Sequence, residues 1–598
     1  MKKMICMTLL LASVVMAADK PNILFILTDD QGYGDLGRHG HPVLETPNLD
    51  RLHDESVRFD NFYVSPSCSP TRAALMTGMH EFRNGVTHTL QPREHLFKDA
   101  VVLPQLLKSA GYKTGFIGKW HLGDGAGYSP EDRGFDWCSS NRMGPRNHFD
   151  VEMIRNGKSR QTKGFREDIY FDEAMTFIDE AGDQPWFMYL CTYSPHTPLD
   201  APKDLIEKYK AKGLNDEHAT YMAMIDNIDM NVGRMEAFLK ERGLEENTIV
   251  IFMNDNGVTK GLDVYNAGMR GCKCTIWQGG TRAMSFWKWP GRWKPQTVDN
   301  LTAHLDVLPT LCELAGAEIP AKLQAELQGY SLLPLLNAVS WKHDGRILYH
   351  NVGRWPSGTA ESHKHAMCSV RKGNMLLVRS EPCNDPECEK HQSQCTTLRA
   401  VRNGLTTTTY ANGTAQMHWG VTAPGRWELF DVKNDPACQK DLSAANPELV
   451  SELIAAYDKW WDEQFPIMMA RGGDDGDPDA SKNAASRVRH HAAEVAAKKV
   501  AGDVSPKKIE MFARLDGDAD GKVTKEEYLA LFVPTFPHKD ADKDGELTPQ
   551  EFPFAGPFKT GDTDGGGTLS EEEFKGMYSR QFDSRDANSD GVVTIDEM

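Results

Sequence analysis

The sequence predicts an α/β fold, a large mostly parallel mixed sheet flanked by helices, and three observations predict it. Four apolar runs, Asn22 to Thr28, Thr114 to Ile117, Trp186 to Thr192 and Thr248 to Met253, are too short and too continuous for surface helices and read as buried strands. Helical patterns lie between them. From Met224 to Arg242 the residues Ile225, Ile228, Val232, Met235 and Leu239 share one face, and Gly243 marks the stop. Strand alternating with helix implies a sheet covered on both faces. Finally, each run ends in polar residues: Asp29 and Asp30 after the first, Lys119 and His121 after the second, His196 after the third, Asp255 and Asn256 after the fourth. Ligands of such sheets bind beyond the carboxyl ends of the strands, so four strand ends converge on one candidate site.

At 598 residues the chain exceeds one ordinary core, which predicts a large domain with accessory pieces. Met1, Lys2 and Lys3, then an apolar stretch from Leu9 to Met16 and Ala17-Ala18, have the layout of a secretory signal peptide at 1–17. No later segment reaches the ~20 apolar residues of a spanning helix, so the expectation is a periplasmic or secreted protein with no membrane span. A formal net charge of −18 argues against a nucleic-acid partner. Much of that excess follows Asp516, in carboxylates spaced like calcium ligands. With 12 cysteines in an oxidising compartment, disulfides are the default expectation, with open connectivity. The cluster Cys383, Cys388, His391 and Cys395 reads as a disulfide-stapled loop, because its spacing fits no zinc pattern.

The segment Cys68-Ser69-Pro70-Thr71-Arg72, running on to Thr77 and Gly78, carries the chemistry. Ser69 suits an N-cap, Pro70 the first helical position and Gly78 the stop, which puts Cys68 just before a short helix, at its positive end. Arg72, a turn later, adds a charge that does not titrate. A buried or disulfide-bonded cysteine would read the same way without the surrounding strand ends. With them, the segment resembles the C-x-P-x-R signature of the formylglycine-dependent, arylsulfatase-like sulfatase family of the alkaline-phosphatase-like superfamily, and the resemblance runs from about Lys20 to Phe465.

That resemblance implies oxidation of Cys68 to formylglycine by a maturation enzyme. It implies that Asp29, Asp30, Asp255 and Asn256, with the modified Cys68, hold a calcium ion; hard oxygen donors suit Ca2+ or Mg2+ and not zinc. Lys119 and His121 resemble the pair that holds the formylglycine and assists sulfate release, His196 the histidine facing the leaving oxygen, and Lys273 the lysine on sulfate. This chain departs from the family's small neighbours there, placing Cys272 and Cys274 around Lys273. Chemically, a sulfate ester needs a cation clamp, an activated oxygen and an acid for the departing alkoxide, and the set supplies all three. The expected function is hydrolysis of sulfate esters, with sulfated carbohydrate as substrate. The alternatives are a phosphate or phosphonate ester hydrolase of the same superfamily and a noncatalytic calcium-dependent glycan-binding protein.

By the same resemblance, a sulfatase domain spans 18–470, with a smaller C-terminal subdomain from about 345 formed of antiparallel sheet and a closing helix. Residues 471–503 turn to Gly, Asp, Ala and charge and read as a linker. Beyond it, an α-helical EF-hand module at 504–598 carries four loops of one pattern. The ligand positions are Asp516, Asp518, Asp520 and Glu527 in the first, Asp540, Asp542, Asp544 and Glu551 in the second, Asp562, Asp564 and Glu573 in the third, and Asp586, Asn588, Asp590 and Glu597 in the fourth. Gly566 stands where the third loop should offer its fifth-position ligand, which predicts weaker binding. Val523, Leu547, Leu569 and Val593 occupy position eight, where EF loops pair, so the tail is expected to fold as two pairs. Pro549 and Pro553 restrict the helix after the second loop. Calcium-dependent stability is the expected role, and attachment to a surface or protein partner a further one.

Overall fold

A continuous apolar run stays a strand only where both of its faces are covered, and the central strands satisfy that condition residue by residue. In a computed structural model, Ile23, Phe25 and Leu27 enter one core cluster and Leu24 and Ile26 the other, on opposite faces of the sheet. Trp186–Cys191 and Thr248–Asn254 divide in the same alternating way. The structure describes residues 20–141, 147–343, 345–355, 358–380, 407–409, 415–417 and 426–474, then 512, 515, 522–533, 536–540, 544–549, 551–552, 555–586 and 590–594. The expected signal peptide, the Cys383 to Cys395 cluster and most of 471–503 lie outside these residues.

The chain divides into two compact units, Met1–Asp479 and Ala480–Met598. The first is built on a ten-stranded mixed sheet. Its centre is parallel: Thr248–Asn254, Asn22–Thr28, Trp186–Cys191, Lys113–Gly118 and Trp137–Ser140 lie side by side in that order. Antiparallel strands extend both edges, Ser285–Lys288 on one side and the Glu152–Arg155 and Lys158–Gln161 hairpin on the other. The helix expected from Met224 begins eight residues earlier and spans Asp216–Glu241, capped by Asn215, whose side chain accepts from His218 N at 2.8 Å. Its apolar residues serve two clusters: Ile228, Val232, Met235 and Leu239 face the sheet, while Tyr221, Met222 and Ile225 face another group. A single stripe therefore does not describe it.

Ile347–Asn351, Cys368–Lys372, Met375–Arg379 and Glu428–Asp431 form a separate four-stranded antiparallel sheet. The helix Pro447–Ala470 closes it, burying Tyr457, Trp460 and Trp461. Immediately after, Arg471–Asp474 remain packed on this unit: Arg471 Nη1 donates to Arg83 O at 2.6 Å, and Asp474 Oδ1 accepts from Trp355 Nε1 at 3.1 Å.

The expectation of disulfides is corrected among the described residues. Seven described cysteines, Cys68, Cys191, Cys272, Cys274, Cys312, Cys368 and Cys438, are free and buried, and Cys138 is buried as well. Cys138, Cys191, Cys272, Cys312, Cys368 and Cys438 act as small apolar side chains in the cores, and burial pushes the thiols of Cys191, Cys312, Cys368 and Cys438 up to about 12. Among the described residues no helix is long and apolar enough to cross a membrane.

In the second unit the position-eight residues pair as Val523 with Val593 and Leu547 with Leu569. The loops therefore form two nested pairs, the first with the fourth and the second with the third. Each has its own core, Phe512, Leu515, Tyr528 and Phe582 around the outer pair and Phe536, Phe552, Phe574 and Met577 around the inner. In three loops the first Asp accepts from the N–H of the sixth-position glycine: Asp540 from Gly545 at 3.0 Å, Asp562 from Gly567 at 3.0 Å and Asp586 from Gly591 at 2.9 Å. Those glycines have φ of 86°, 84° and 87°, a conformation that side chains resist. After the second loop, Pro549 lies in a turn and the next helix is Ala555–Gly561.

Candidate active site

The strand ends are flush. Thr28 pairs with Asn254, Leu27 with Cys191 and Cys191 with Gly118, so the residues that follow emerge in one row. Asp255 N donates to Thr28 O at 3.0 Å and Asp30 N to Asp255 Oδ1 at 3.2 Å, which locks the two acidic turns together. Gly118 has φ of 94°, and a Cβ there would lie 1.9 Å from Cys191 O; only glycine lets Lys119 leave the strand at this point. Asp30 and His121 themselves take left-handed backbone, with φ of 68° and 60°. Two non-glycine residues held this way in one site are a mark of positions fixed by their surroundings.

Cys68 is the first residue of the helix Cys68–Thr77, whose N-cap is Ser67. The expected N-cap at Ser69 and first position at Pro70 are thus corrected by two residues. Ser67 O already accepts from Thr71 N at 3.2 Å, and Pro70 falls in the first turn, where its missing N–H has no intrahelical role. Gly78 ends the helix as expected, with φ of 66°. Cys68 is 1% exposed and sits between two ammonium groups, Lys119 and Lys273, the latter with Nζ 3.6 Å from Sγ. Burial raises the Cys68 thiol, but Lys119 and Lys273 outweigh it and hold it well below the usual thiol range.

The acids are arranged around the same point. Asp29 Oδ2 accepts from Lys119 Nζ at 2.6 Å, and Lys273 Nζ is paired with Asp30 Oδ1, which also accepts from Asn256 Nδ2 at 2.9 Å. Arg72 is turned onto Asp255, with Nη2 and Nε at 2.8 and 3.2 Å from Oδ2, and its Nη1 donates to Lys119 O at 2.7 Å. Its charge therefore fixes a carboxylate and a strand end. Against burial, Lys119, His196 and Arg72 hold Asp29 well below the carboxylate range. Asp255 behaves oppositely: burial and the neighbouring Asp29 push it well above that range despite Arg72.

These residues fit a hard divalent cation. Asp29, Cys68 and Asp255 place ligand atoms within 4.8 Å of one another, and Asp29 Oδ1 and Asn256 Oδ1 are buried with no hydrogen-bond donor. Orphaned oxygens at a convergence of acids, one of which burial and a neighbouring acid push toward protonation, match the coordination chemistry of Ca2+ or Mg2+.

A cavity of about 420 Å³ opens above Cys68. His196 enters it with its side chain 26% exposed and Nε2 3.7 Å from Asp30 Oδ2. His121 sits deeper: its Nε2 lies 3.1 Å from Thr89 O and 3.2 Å from Glu94 Oε2. Burial and Lys119 lower His121, but Cys68 and Glu94 more than compensate and raise it. Glu94, 1% exposed, escaped the sequence reading because it lies in an irregular segment with no motif; Arg354, Tyr193 and Asn141 on the cavity wall were missed as well.

The residues of the expected EF-hand loops belong to the second unit. Among them Asp562, Asp564 and Glu573 converge as a ligand cluster. Asp540, Asp544, Glu551, Asp586, Asp590 and Glu527 are described, whereas Asp516, Asp518, Asp520, Asp542, Asn588 and Glu597 lie outside the described residues. In the third loop Glu573 Oε1 accepts from Thr563 N at 2.9 Å, and hydrogen bonds of this kind hold its carboxyl down to about 2.

A family model described as Sulfatase matches residues 21–317, and one described as EF hand matches 509–533. The chain is 33% identical over 392 residues to N-acetylgalactosamine-6-sulfatase of Homo sapiens, covering 58% of this chain and 72% of that protein. It is 28% identical over 476 residues to Arylsulfatase J of Mus musculus, covering 75% and 77%. Among solved structures it is similar to Ps i-CgsB in complex with k-i-k-neocarrahexaose, with a TM-score of 0.62, 26% identity and coverage of 74% and 92%.

Proposed function

The chain belongs to the sulfatase family, and from that premise we propose that this sulfuric ester hydrolase is an exported enzyme acting on sulfated carbohydrates, through a formylglycine made from Cys68 and a calcium ion. The observation that carries the proposal is the placement of Cys68 among Lys119, Lys273, Asp29 and Asp255, with orphaned oxygens facing the same point. The carbohydrate substrate is supported by the relatives, one named for N-acetylgalactosamine 6-sulfate chemistry and one solved with a neocarrahexaose.

Asp29, Asp30, Asp255 and Asn256 would hold the cation, with the residue-68 side chain completing the set. A divalent cation held there supplies positive charge against the sulfate oxygens. Oxidised and hydrated, residue 68 supplies an oxygen nucleophile and a second hydroxyl whose deprotonation releases sulfate. The unmodified thiol lacks that second hydroxyl.

Lys119 and Lys273 flank residue 68 and clamp the transferring sulfate. Arg72 keeps Asp255 oriented. His196, at the open side of the cavity, donates the proton that the departing alkoxide takes up. His121, backed by Glu94, accepts a proton from the residue-68 hydroxyl. A clamp, a base and an acid are thus assigned to the residues around position 68.

The domain limits expected from the sequence are retained in the proposal: a sulfatase domain at 18–470, a linker at 471–503 and an EF-hand module at 504–598. Its loops take calcium through Asp516, Asp518, Asp520 and Glu527 and their counterparts, and calcium stabilises the module.

The test is mass spectrometry of the Cys68 peptide from active protein, with turnover of matched sulfate and phosphate esters before and after chelation. The expected result is an aldehyde or its hydrate at position 68, sulfate release that calcium restores, and a higher kcat/KM for sulfate. An intact thiol in the active protein would refute the mechanism, and preference for phosphate would refute the reaction.

A further inference from the structure

Arg354 lines the wall of the cavity that has Cys68 and Lys273 at its base. It is part-buried, and its Nη2 donates to Thr89 Oγ1 across the cavity lip. The backbone on either side of it is held from beneath by one residue: Arg93 donates from Nη2 to Gly353 O and from Nη1 to Trp355 O. Arg93 is itself 5% exposed and lies over the Trp355 ring at 5.3 Å. A Cβ on Gly353 would stand 2.3 Å from Thr87 O, so the Arg354 segment packs directly on the loop that carries Thr89. Trp355, 2% exposed, is tied in turn to Asp474. A flexible arginine is thus given a fixed origin.

Two other cations of the cavity stand beside the nucleophile, Lys119 on Asp29 and Lys273 on Asp30. They act where the scissile sulfate must sit. Arg354 acts on the wall, where the rest of a saccharide must lie, and its field reaches the loop around it: with burial and Arg93 it holds His88 down to about 3. That keeps His88 neutral, with Nδ1 accepting from Thr89 N at 2.8 Å and Leu90 N at 3.0 Å. A guanidinium with a fixed origin presents a planar fork matched to oxyanions.

We propose that Arg354 forms an anion subsite of the substrate cavity, which receives a second oxyanion of the saccharide, a sulfate or a carboxylate, besides the sulfate being cleaved. The inference rests on the reading of this cavity as a sulfatase active site. Its chemistry is shared by a second sulfate ester and by a uronate, so three disaccharide probes distinguish the sources: monosulfated and otherwise neutral, disulfated, and monosulfated with a uronate neighbour.

The matured full chain is expected to favour at least one doubly anionic probe over the neutral one by about tenfold in kcat/KM, carried mainly by KM and reduced at high ionic strength. Arg354→Ala collapses that ratio toward one, and Arg354→Lys retains part of it because a point charge lacks the fork. Melting curves check that both variants fold, and the wild-type ratio with its salt dependence stands without them. Equal turnover of all three probes by the wild type would overturn the subsite while leaving the sulfatase reading intact, and so would an Arg354→Ala variant slowed equally on all three. Release of sulfate from none of them would remove both.

Discussion

Glu94 shows how much a single buried carboxylate can decide. Its Oε2 has no hydrogen-bond donor, and its near neighbour is the His121 ring. The amide of Glu94→Gln keeps the shape and removes the charge that favours a protonated His121. Steady-state kinetics on the matured variant should show kcat lowered about tenfold or more with KM little changed, the pattern of a lost proton-transfer partner. Unchanged kcat would reduce Glu94 to a packing residue. This residue was not legible in the sequence: nothing in the stretch around Gln91 to Lys98 repeats, and its role depends on a histidine brought from another strand end. Asp29, Lys119 and Asp255 were legible because a strand end is written in consecutive residues. Arg72 was legible as a charge but not as to its target; the sequence reading placed it by the cysteine, one turn away, whereas a long side chain reached the acid across the sheet.

At the scale of elements, Arg471–Asp474 form a strap that outlasts the helix before it. Asp474 Oδ1 accepts from Trp355 Nε1 and from Ala360 N, and Gly473 O accepts from Thr87 Oγ1. Asp474→Ala leaves two buried donors without an acceptor, a loss of about 1 to 3 kcal/mol. The melting temperature of this large unit should fall by about 1 to 3 °C, and KM should rise with the loosened cavity wall. A variant with wild-type KM would confine the strap to stability. Pairing of the calcium loops offers another test. Glu527→Gln, in the first loop, should weaken the fourth loop as well, by about tenfold or ~1.4 kcal/mol, while the second and third keep their affinity. Calorimetric titration would read this, and coupling to the second loop instead would contradict the nested arrangement. The sequence predicted two pairs but not which, because partner choice is made by packing around Val593 and Leu569 and not by spacing. Short strands such as Val57–Phe59 and Ser285–Lys288 were missed for a related reason: three or four residues carry no period.

Several described imidazoles are buried in the fold. His39, His148 and His350 are held down to about 4, about 4 and about 3, by burial first and then by His53, Arg166 and His80 respectively. A folded-state value below the unfolded ~6.5 means that the unfolded chain binds more protons between the two. Their contribution is therefore complete above pH 6.5 and lost as pH falls toward 4, on the order of 1 to 3 kcal/mol for each. Asp35 and Asp229, raised by burial to about 7 and about 6, act in the other direction, favouring the folded state as they protonate. Urea midpoints between pH 7.5 and 4.5 would separate the two if wild type is compared with His350→Gln: the variant should lose less stability on acidification. An identical slope would mean that His350 does not titrate on unfolding. At this scale the fold class was legible, because strands covered on both faces are continuous apolar runs. The C-terminal sheet came from resemblance, since its strands are short and separated by irregular segments.

The nested pairing of the loops in the second unit also sets an order of assembly. During synthesis the second loop meets the third after a short stretch of chain, and that inner pair can close early around Phe552 and Phe574. The first loop, made before either, has no partner until the fourth is complete, and its contacts are the longest-range of the unit. The outer pair thus acts as a latch that closes last, over an inner pair already formed. A nascent or truncated chain would carry an exposed Val523 edge through the whole interval, the segment that an aggregating neighbour or a chaperone would meet first.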